Sequence, residues 1–384
     1  MIKIFESDFC SKEQQAVQNV ISSGWLTNGN VTIQFEEIIQ NILLQNQCNA
    51  VAVSSATAAL HLALIASNIG PGDEVIVPGL NFVSDYNVVK AVGAKPILCD
   101  VESINNWTPN LQNIKEVVSS KTKCCFVVHF AGIPCKDILE IREFCQSKSI
   151  VLIEDVAHAA GASVSGHMCG SIGDFGAFSF YSNKNIATGE GGCISSSNNI
   201  DKLKRLRSHG MSASTLDREK GRIFSYDVIE YGLNYRIDEI RAAIGIEQIK
   251  KFDLKHNKRR ELVLAYLDYL PEKIITPFSS AINNSEIVAV DHIMPILLPK
   301  NADKKSLIKE FSDNQVQTTM HYPAPWNFSA YHEEFSNIDH CSVSEEIINR
   351  ELTLPLHTKM SINDVKKICE VLNIFLMQNE EQND

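Results

Sequence analysis

An α/β fold built on a mostly parallel sheet is what these 384 residues predict. From about Ala50 to Ile200, short β-branched runs alternate with stretches of helical period. The runs are near-continuously apolar, as strands covered on both faces are, and the alternation stops after Asn234.

In order, strands are expected at Ala50 to Val53, Glu74 to Val77, Pro96 to Cys99, Cys124 to His129, Ile150 to Glu154, Ala177 to Phe180 and Gly192 to Ser195. Between them Thr57 to Ser67, Phe82 to Val92 and Ile138 to Gln146 carry the spacing of helices. Asp238 to Leu267 reads as one long helical stretch of the kind that links a large domain to a small one. Asp291 to Leu298 and Leu307 to Phe311 then supply a strand and a helix for a smaller C-terminal α+β domain. The expected division is 1–254 for the large domain with its N-terminal segment and 255–384 for the small one. The tail from Gln378 to Asp384 looks disordered.

A net charge of -11 and a pI near 5.5 oppose non-specific binding to nucleic acid or to an anionic membrane, since both require a positive footprint. Eleven cysteines, several in expected core strands (Cys99, Cys124, Cys125, Cys193), read as buried thiols in a reducing compartment. No pair has Cys-x-x-Cys spacing, so no metal site is expected. Met1 to Gln15 carries acids where a signal peptide needs an apolar core, and no apolar run is long enough to span a bilayer. The expectation is a cytoplasmic protein.

The chemistry concentrates between Gly176 and Gly192. An apolar strand leads into Tyr181-Ser182-Asn183-Lys184-Asn185, and the glycine-rich turn Thr188-Gly189-Glu190-Gly191-Gly192 follows. A lysine in a polar loop is ordinarily a solvated charge. One placed against a buried strand has its pKa lowered by desolvation, as an imine-forming amine requires. The glycines would let the backbone pass close to a flat ligand. Asp155 ends another apolar run, at the strand edge where open α/β sheets bind ligands. It reads as a helix N-cap or as the acid facing a pyridinium nitrogen. Together Lys184 and Asp155 suggest an aldehyde cofactor held as a Schiff base. His158 would face the same ring, or be a buried structural histidine. Ser54 to Ala59 joins strand to helix with small residues that admit an anion to the helix start, although Thr57 could simply cap it. Ser179 belongs to the same proposed pocket, and Phe82 reads as a stacking ring or as core.

With these residues assembled, the chain resembles the nucleotide-sugar aminotransferases, a fold type I pyridoxal phosphate family of the DegT/StrS kind. The resemblance runs from about Ser22 to about Leu372. It rests on Ser23 to Thr27, Ser55 to Leu60, Pro71 to Pro78, Ile153-Glu154-Asp155, Phe178 to Gly192, Arg207 to Met211, Leu233 to Arg236 and Leu354 to His357. It implies that Lys184 carries the Schiff base with pyridoxal 5'-phosphate, that Asp155 meets the ring nitrogen and that His158 lies near the phenolic oxygen. Thr57, Ala58 and Ser179 would hold the phosphate and Phe82 would stack on the ring. Asn234 would reach the phosphate of a neighbouring subunit, making a homodimer with shared active sites. Trp25, Tyr181, His321 and Tyr322 would lie near the sugar. Two stretches depart from the family's usual wording: Asn81, Ser84, Asp85, Tyr86, and Tyr181-Ser182-Asn183 before the lysine. Both fall where substrate is read.

The implied activity is transfer of an amino group from L-glutamate to a nucleotide-linked keto-deoxysugar at carbon 4 or carbon 3. Such amination serves surface polysaccharide, including lipopolysaccharide O-antigen, or other modified sugars. The family's dehydratase branch has histidine at the lysine position, so Lys184 speaks against it. A dinucleotide-fold dehydrogenase would need Gly-x-Gly-x-x-Gly after an early strand, and none is present. A cyclitol or other ketone as acceptor, or a non-catalytic cofactor-binding sensor, remains the alternative.

Overall fold

The computed structural model describes residues 1–213, 221, 225–335 and 341–381. Two helices open the chain, α1 (Ser11–Ser23) and α2 (Asn30–Ile38), the second continuing through a π-helical turn at Ile39–Leu43. The alternating section follows: β1 (Asn49–Val53), α3 (Ala56–Ala66), β2 (Glu74–Pro78), α4 (Val83–Ala91), β3 (Lys95–Cys99), α5 (Leu111–Val117), β4 (Thr122–Val128), α6 (Ile138–Ser147) and β5 (Val151–Asp155). A small hairpin, β6 (Ser163–Val164) and β7 (His167–Met168), precedes β8 (Phe175–Ser179), β9 (Gly192–Ser196) and α7 (Ile200–Leu206). Then come α8 (Glu239–Ile249), α9 (Phe252–Tyr269), α10 (Phe278–Ala281), β10 (Ile287–Val288), β11 (Met294–Leu297) and α11 (Lys304–Asp313). The remaining elements are α12 (Ser342–Arg350), β12 (Glu351–Leu354) and α13 (Ile362–Glu381).

Seven strands form the main sheet in the order β1-β9-β8-β5-β4-β2-β3. The ladders from β8 across to β3 are parallel, and β9 runs antiparallel to both of its neighbours. The chain between β8 and β9 contains no helix, and an antiparallel neighbour needs no crossover helix. Alternation along the strands then builds two covered faces. Val51, Val53, Val75, Val77, Cys124 and Phe126 join the residues of α3 and α4 in one apolar cluster. On the opposite pleat Ile76, Cys125 and Val127 pack with Ile114, Ile138 and Ile141 of α5 and α6, while Ala50 and Ala52 pack with Phe35, Phe178 and Phe180. The first cluster continues into the C-terminal part through Ile296, Leu307, Phe311, Leu352 and Leu372. There β11 and β12 form their own antiparallel ladder, and α13 packs on α9 and α11. Residue 255 lies within the first turn of α9.

Two features differ from the sequence expectation. The stretch from Asp238 to Leu267 is two helices, not one. Asp238 is the N-cap of α8, its carboxylate accepting from the Arg241 N–H at 2.9 Å, and the chain turns at Lys250 and Lys251 before α9 begins. The turn buries the Phe252 ring against Gly161 and lets Lys251 pair with Glu13 of α1. The tail is helical through Glu381, with 382–384 outside the described residues. The N-terminal segment forms α1 and α2, both packed on α8. Glu239 of α8 anchors the start of α2, accepting from the N–H groups of Gly29, Val31 and Thr32 at 2.7–2.9 Å.

Candidate active site

The carboxyl ends of β5, β8 and β1 open onto one cavity of about 280 Å³. Asp155 is the last residue of β5 and Ser179 the last of β8, so sheet register alone brings them to one edge. Lys184 follows β8 in a turn closed by its own N–H to the Tyr181 carbonyl at 2.9 Å. Thr57 stands in the first turn of α3, immediately after β1. His158, Phe82, Tyr181, His321 and Tyr322 also line the cavity.

The start of α3 is held open to an anion. Ser55, not Thr57, is the N-cap, and its hydroxyl accepts from the Ala58 N–H at 3.1 Å. The N–H groups of Ala56 and Thr57 have no carbonyl within the helix to meet, and both residues face the cavity. Ala58 itself is buried beneath this turn and does not line the cavity. Gly192, at the end of the glycine turn, has a packing reason of its own. A Cβ on Gly192 would lie 2.6 Å from the Ala56 nitrogen, so the glycine lets β9 press against the start of α3.

Burial sets the electrostatics. Removal from water lowers the Lys184 amine to about 8, with Asp155 opposing the shift. His158, His292 and His321 are all pushed down, first by burial and then by the Lys184 charge, so the imidazoles around the lysine are neutral at pH 7. His158 Nδ1 accepts from the Ala131 N–H at 3.2 Å; its Nε2 therefore carries the hydrogen and donates to the Tyr322 hydroxyl at 2.8 Å. Phe82 and Tyr181 are 48% and 46% exposed, a large apolar edge left at the cavity mouth, and Phe82 lies 5.3 Å from the Tyr322 ring.

Trp25 and Asn234 stand outside this cavity. Trp25 lies over Gly29 beside Glu239. Asn234 is exposed, bridging to Ser208 next to Tyr235, whose carbonyl accepts from the Ser54 N–H at 2.9 Å. Sequence reasoning passed over His292 and Asn185, and read Asp85 only as a departure in wording. Only the fold brings His292 to Lys184, 108 residues away in the chain, so no local motif marks it. The buried trio His129, Glu154 and Cys169 has the grouping of a metal site. The lone pairs of His129 and Glu154 are committed, however: His129 Nδ1 accepts from the Cys135 N–H, Nε2 then donates to Glu154 at 3.0 Å, and Glu154 accepts from the Gly170, Ile172 and Gly173 N–H groups.

The sequence model of the DegT/DnrJ/EryC1/StrS aminotransferase family matches residues 8–373. This chain belongs to that family. As an aminotransferase it is 31% identical to the GDP-perosamine synthase of Escherichia coli O157:H7, over 97% of this chain and 98% of that one. Among solved structures, the aminotransferase TlmJ from Streptoalloteichus hindustanus superposes with a TM-score of 0.89 at 28% identity, covering 98% and 99% of the two chains. Spr1654 from Streptococcus pneumoniae matches at 25% identity in a PMP form, TM-score 0.90 over 99% and 100% of the chains. It matches at the same identity in a PLP form, TM-score 0.88 over 98% of each. The α/β architecture is thus that of the family's aminotransferases. Among the described residues no helix is long and apolar enough to cross a membrane.

Proposed function

We propose that this aminotransferase uses pyridoxal 5'-phosphate, takes its amino group from L-glutamate and delivers it to carbon 4 or carbon 3 of a nucleotide-linked keto-deoxysugar. The observation that carries this reading is the convergence of the Lys184 amine, the Asp155 carboxylate and the open start of α3 on one cavity. The donor set fits the group: an amine for its aldehyde, an acid for its ring nitrogen and backbone N–H groups for its phosphate. Bound there, the cofactor supplies the aldehyde that captures nitrogen and the ring that withdraws electrons from the donor carbon.

The protein's part follows from placement. Asp155 holds the proton on the ring nitrogen. Ala56 and Thr57 with Ser179 grip the phosphate, and Phe82 covers the ring. Lys184, whose amine burial lowers to about 8, would accept the proton that leaves the donor carbon. His158 and Tyr322, joined at 2.8 Å, border the phenolic side. Under the division 1–254 and 255–384, His321 and Tyr322 reach in from the small domain and border the sugar with Tyr181. The likeness to GDP-perosamine synthase supports a nucleotide sugar as acceptor. In this reading the amination takes place in the cytoplasm and serves surface polysaccharide such as O-antigen. Asn234, outside its own chain's cavity, reaches the phosphate of the partner's site in a homodimer, and Trp25 lies near the sugar.

Purified protein is expected to bind the cofactor with a visible absorption band that glutamate discharges and that Lys184→Ala lacks. Incubation with a panel of nucleotide ketosugars should then give an aminated sugar nucleotide by mass spectrometry. A colourless protein that takes up no pyridoxal phosphate overturns the reading. Discharge by glutamate with no sugar aminated points instead to a cyclitol or other ketone, or to a sensor. Mixed Lys184→Ala and Asn234→Ala subunits should regain about a quarter of wild-type activity if sites are shared.

A further inference from the structure

Asp85 is fully buried in the first turn of α4, and its carboxyl is in hydrogen-bond contact with that of Asp155. The other groups on it are neutral donors: Asn81 Nδ2 at 2.7 Å on one oxygen and Ser84 Oγ at 2.9 Å on the other. Asn81 is itself fixed, its oxygen accepting from the Phe82 N–H at 2.7 Å. Two carboxyl oxygens in contact need a proton between them.

Charge decides which residue keeps it. Asp155 receives the Ala157 N–H at 2.8 Å and faces the Lys184 amine. The groups that act most strongly on Asp85 are Asp155, Asn81 and Ser84, and Asp85 in turn acts on Tyr86 and Tyr322; none of these is a cation. The start of α4 favours an anion at Asp85 by less than about tenfold. A second full charge at contact distance from Asp155 opposes it by about a thousandfold.

We propose that Asp85 is a carboxylic acid at neutral pH that donates its hydrogen bond to the Asp155 carboxylate, keeping Asp155 ionised and aimed into the cavity. Burial and the neighbouring anion push Asp85 well above the carboxylate range, further than burial raises Asp155, in the same direction. Asp85 is thus a positioning residue: it fixes the rotamer of Asp155 and stabilises its charge. The pair is a property of the protein alone; its service to a ring nitrogen rests on the cofactor reading above.

The test is carbon-13 NMR of the full-length protein labelled at aspartate carboxyls. At pH 7.5 one resonance is expected at the protonated position, absent from Asp85→Asn; wild-type protein with every aspartate carboxyl ionised overturns the proposal. Stability against pH gives a second readout. An acid protonated only when folded makes the wild type lose about tenfold in folding equilibrium constant per pH unit between pH 5 and 8, relative to Asp85→Asn. Parallel curves overturn it. For the role, Asp85→Leu should bind pyridoxal phosphate at least tenfold more weakly, and Asp85→Asn, which still donates, should restore binding. Equal losses in both variants overturn the positioning role. A wild type that binds no cofactor while keeping its protonated aspartate defeats the functional reading and leaves the pair standing.

Discussion

Nζ of Lys184 lies 3.5 Å from Nε2 of His292, and the tautomer of that histidine is set from behind. The Asn185 amide donates to the Val290 carbonyl at 2.7 Å, which turns its oxygen toward His292 Nδ1 at 3.2 Å. Nδ1 therefore holds the hydrogen and Nε2 presents a lone pair to the lysine. With His292 kept neutral by burial, the lysine meets an acceptor and not a competing charge.

Capture of pyridoxal phosphate by cofactor-free protein needs the unprotonated amine, so its rate should rise with pH and level off through about 8, the value that burial gives Lys184. His292→Phe removes an acceptor that favours the ammonium. The midpoint should move below 8, and the plateau rate should fall because the amine is no longer held. Absorbance-monitored uptake across pH 6 to 10 measures both. A midpoint near that of a free lysine would contradict the burial argument.

Burying that ammonium costs stability. In the folded protein Lys184 releases its proton near 8, and in the unfolded chain near its ordinary value of 10.5. Between those values the unfolded chain binds more protons, so this group makes the protein gain stability as pH rises across that interval; below pH 8 the full penalty is present. Lys184→Met should therefore raise stability at pH 7 by about 2 kcal/mol and remove this rise, while abolishing amination. Denaturant unfolding of the cofactor-free proteins at pH 7 and pH 10 gives the comparison.

Much of this was legible in the sequence because strands write themselves in short apolar runs. Each expected strand from Ala50 to Ser195 lies within two residues of an observed one, and the end of the apolar run at Glu154 put Asp155 at the carboxyl edge of the sheet. What stayed hidden depends on distant partners. The start of α2 is anchored by Glu239, about 200 residues away in the chain, a separation that no local capping pattern reveals. Arg207 stands in a block that resembles the family, yet its work is internal: it donates to Glu36 at 2.5 Å and to the Ala52 carbonyl at 2.7 Å, tying α2 to β1. The break at Lys250 and Lys251 was invisible because neither residue is a helix breaker; the burial of Phe252 makes the turn.

Glu154 precedes Asp155 and points to the other face, where it organises the loop before β8. One carboxylate oxygen accepts from the Ile172 and Gly173 N–H groups at 2.8 and 2.6 Å; the other accepts from the Gly170 N–H at 2.8 Å and meets His129 Nε2. Glu154→Gln turns an amide against buried donors and leaves at least one N–H without an acceptor. It should destabilise the protein by about 3 kcal/mol. Urea unfolding reads the loss. Asp155 keeps its own Ala157 contact, so cofactor binding in the folded fraction should change little.

Gly192 carries the last prediction. Its Cα is held against the Ser55–Ala56 peptide, where an added Cβ would meet backbone atoms that no side-chain rotation can move aside. Gly192→Ala must push β9 and the start of α3 apart by a few tenths of an ångström or more. Overpacking of this kind costs about 1–3 kcal/mol. The displaced turn contains Ser55, Ala56 and Thr57, so phosphate affinity should fall together with stability. Gly189→Ala separates the two causes: its added Cβ meets nothing within 4 Å, but its φ of +87° strains any side chain. That variant should lose about 1 kcal/mol and keep its affinity for inorganic phosphate and pyridoxal phosphate. Equal phosphate affinity in Gly192→Ala and wild type would show that the start of α3 does not hold the anion.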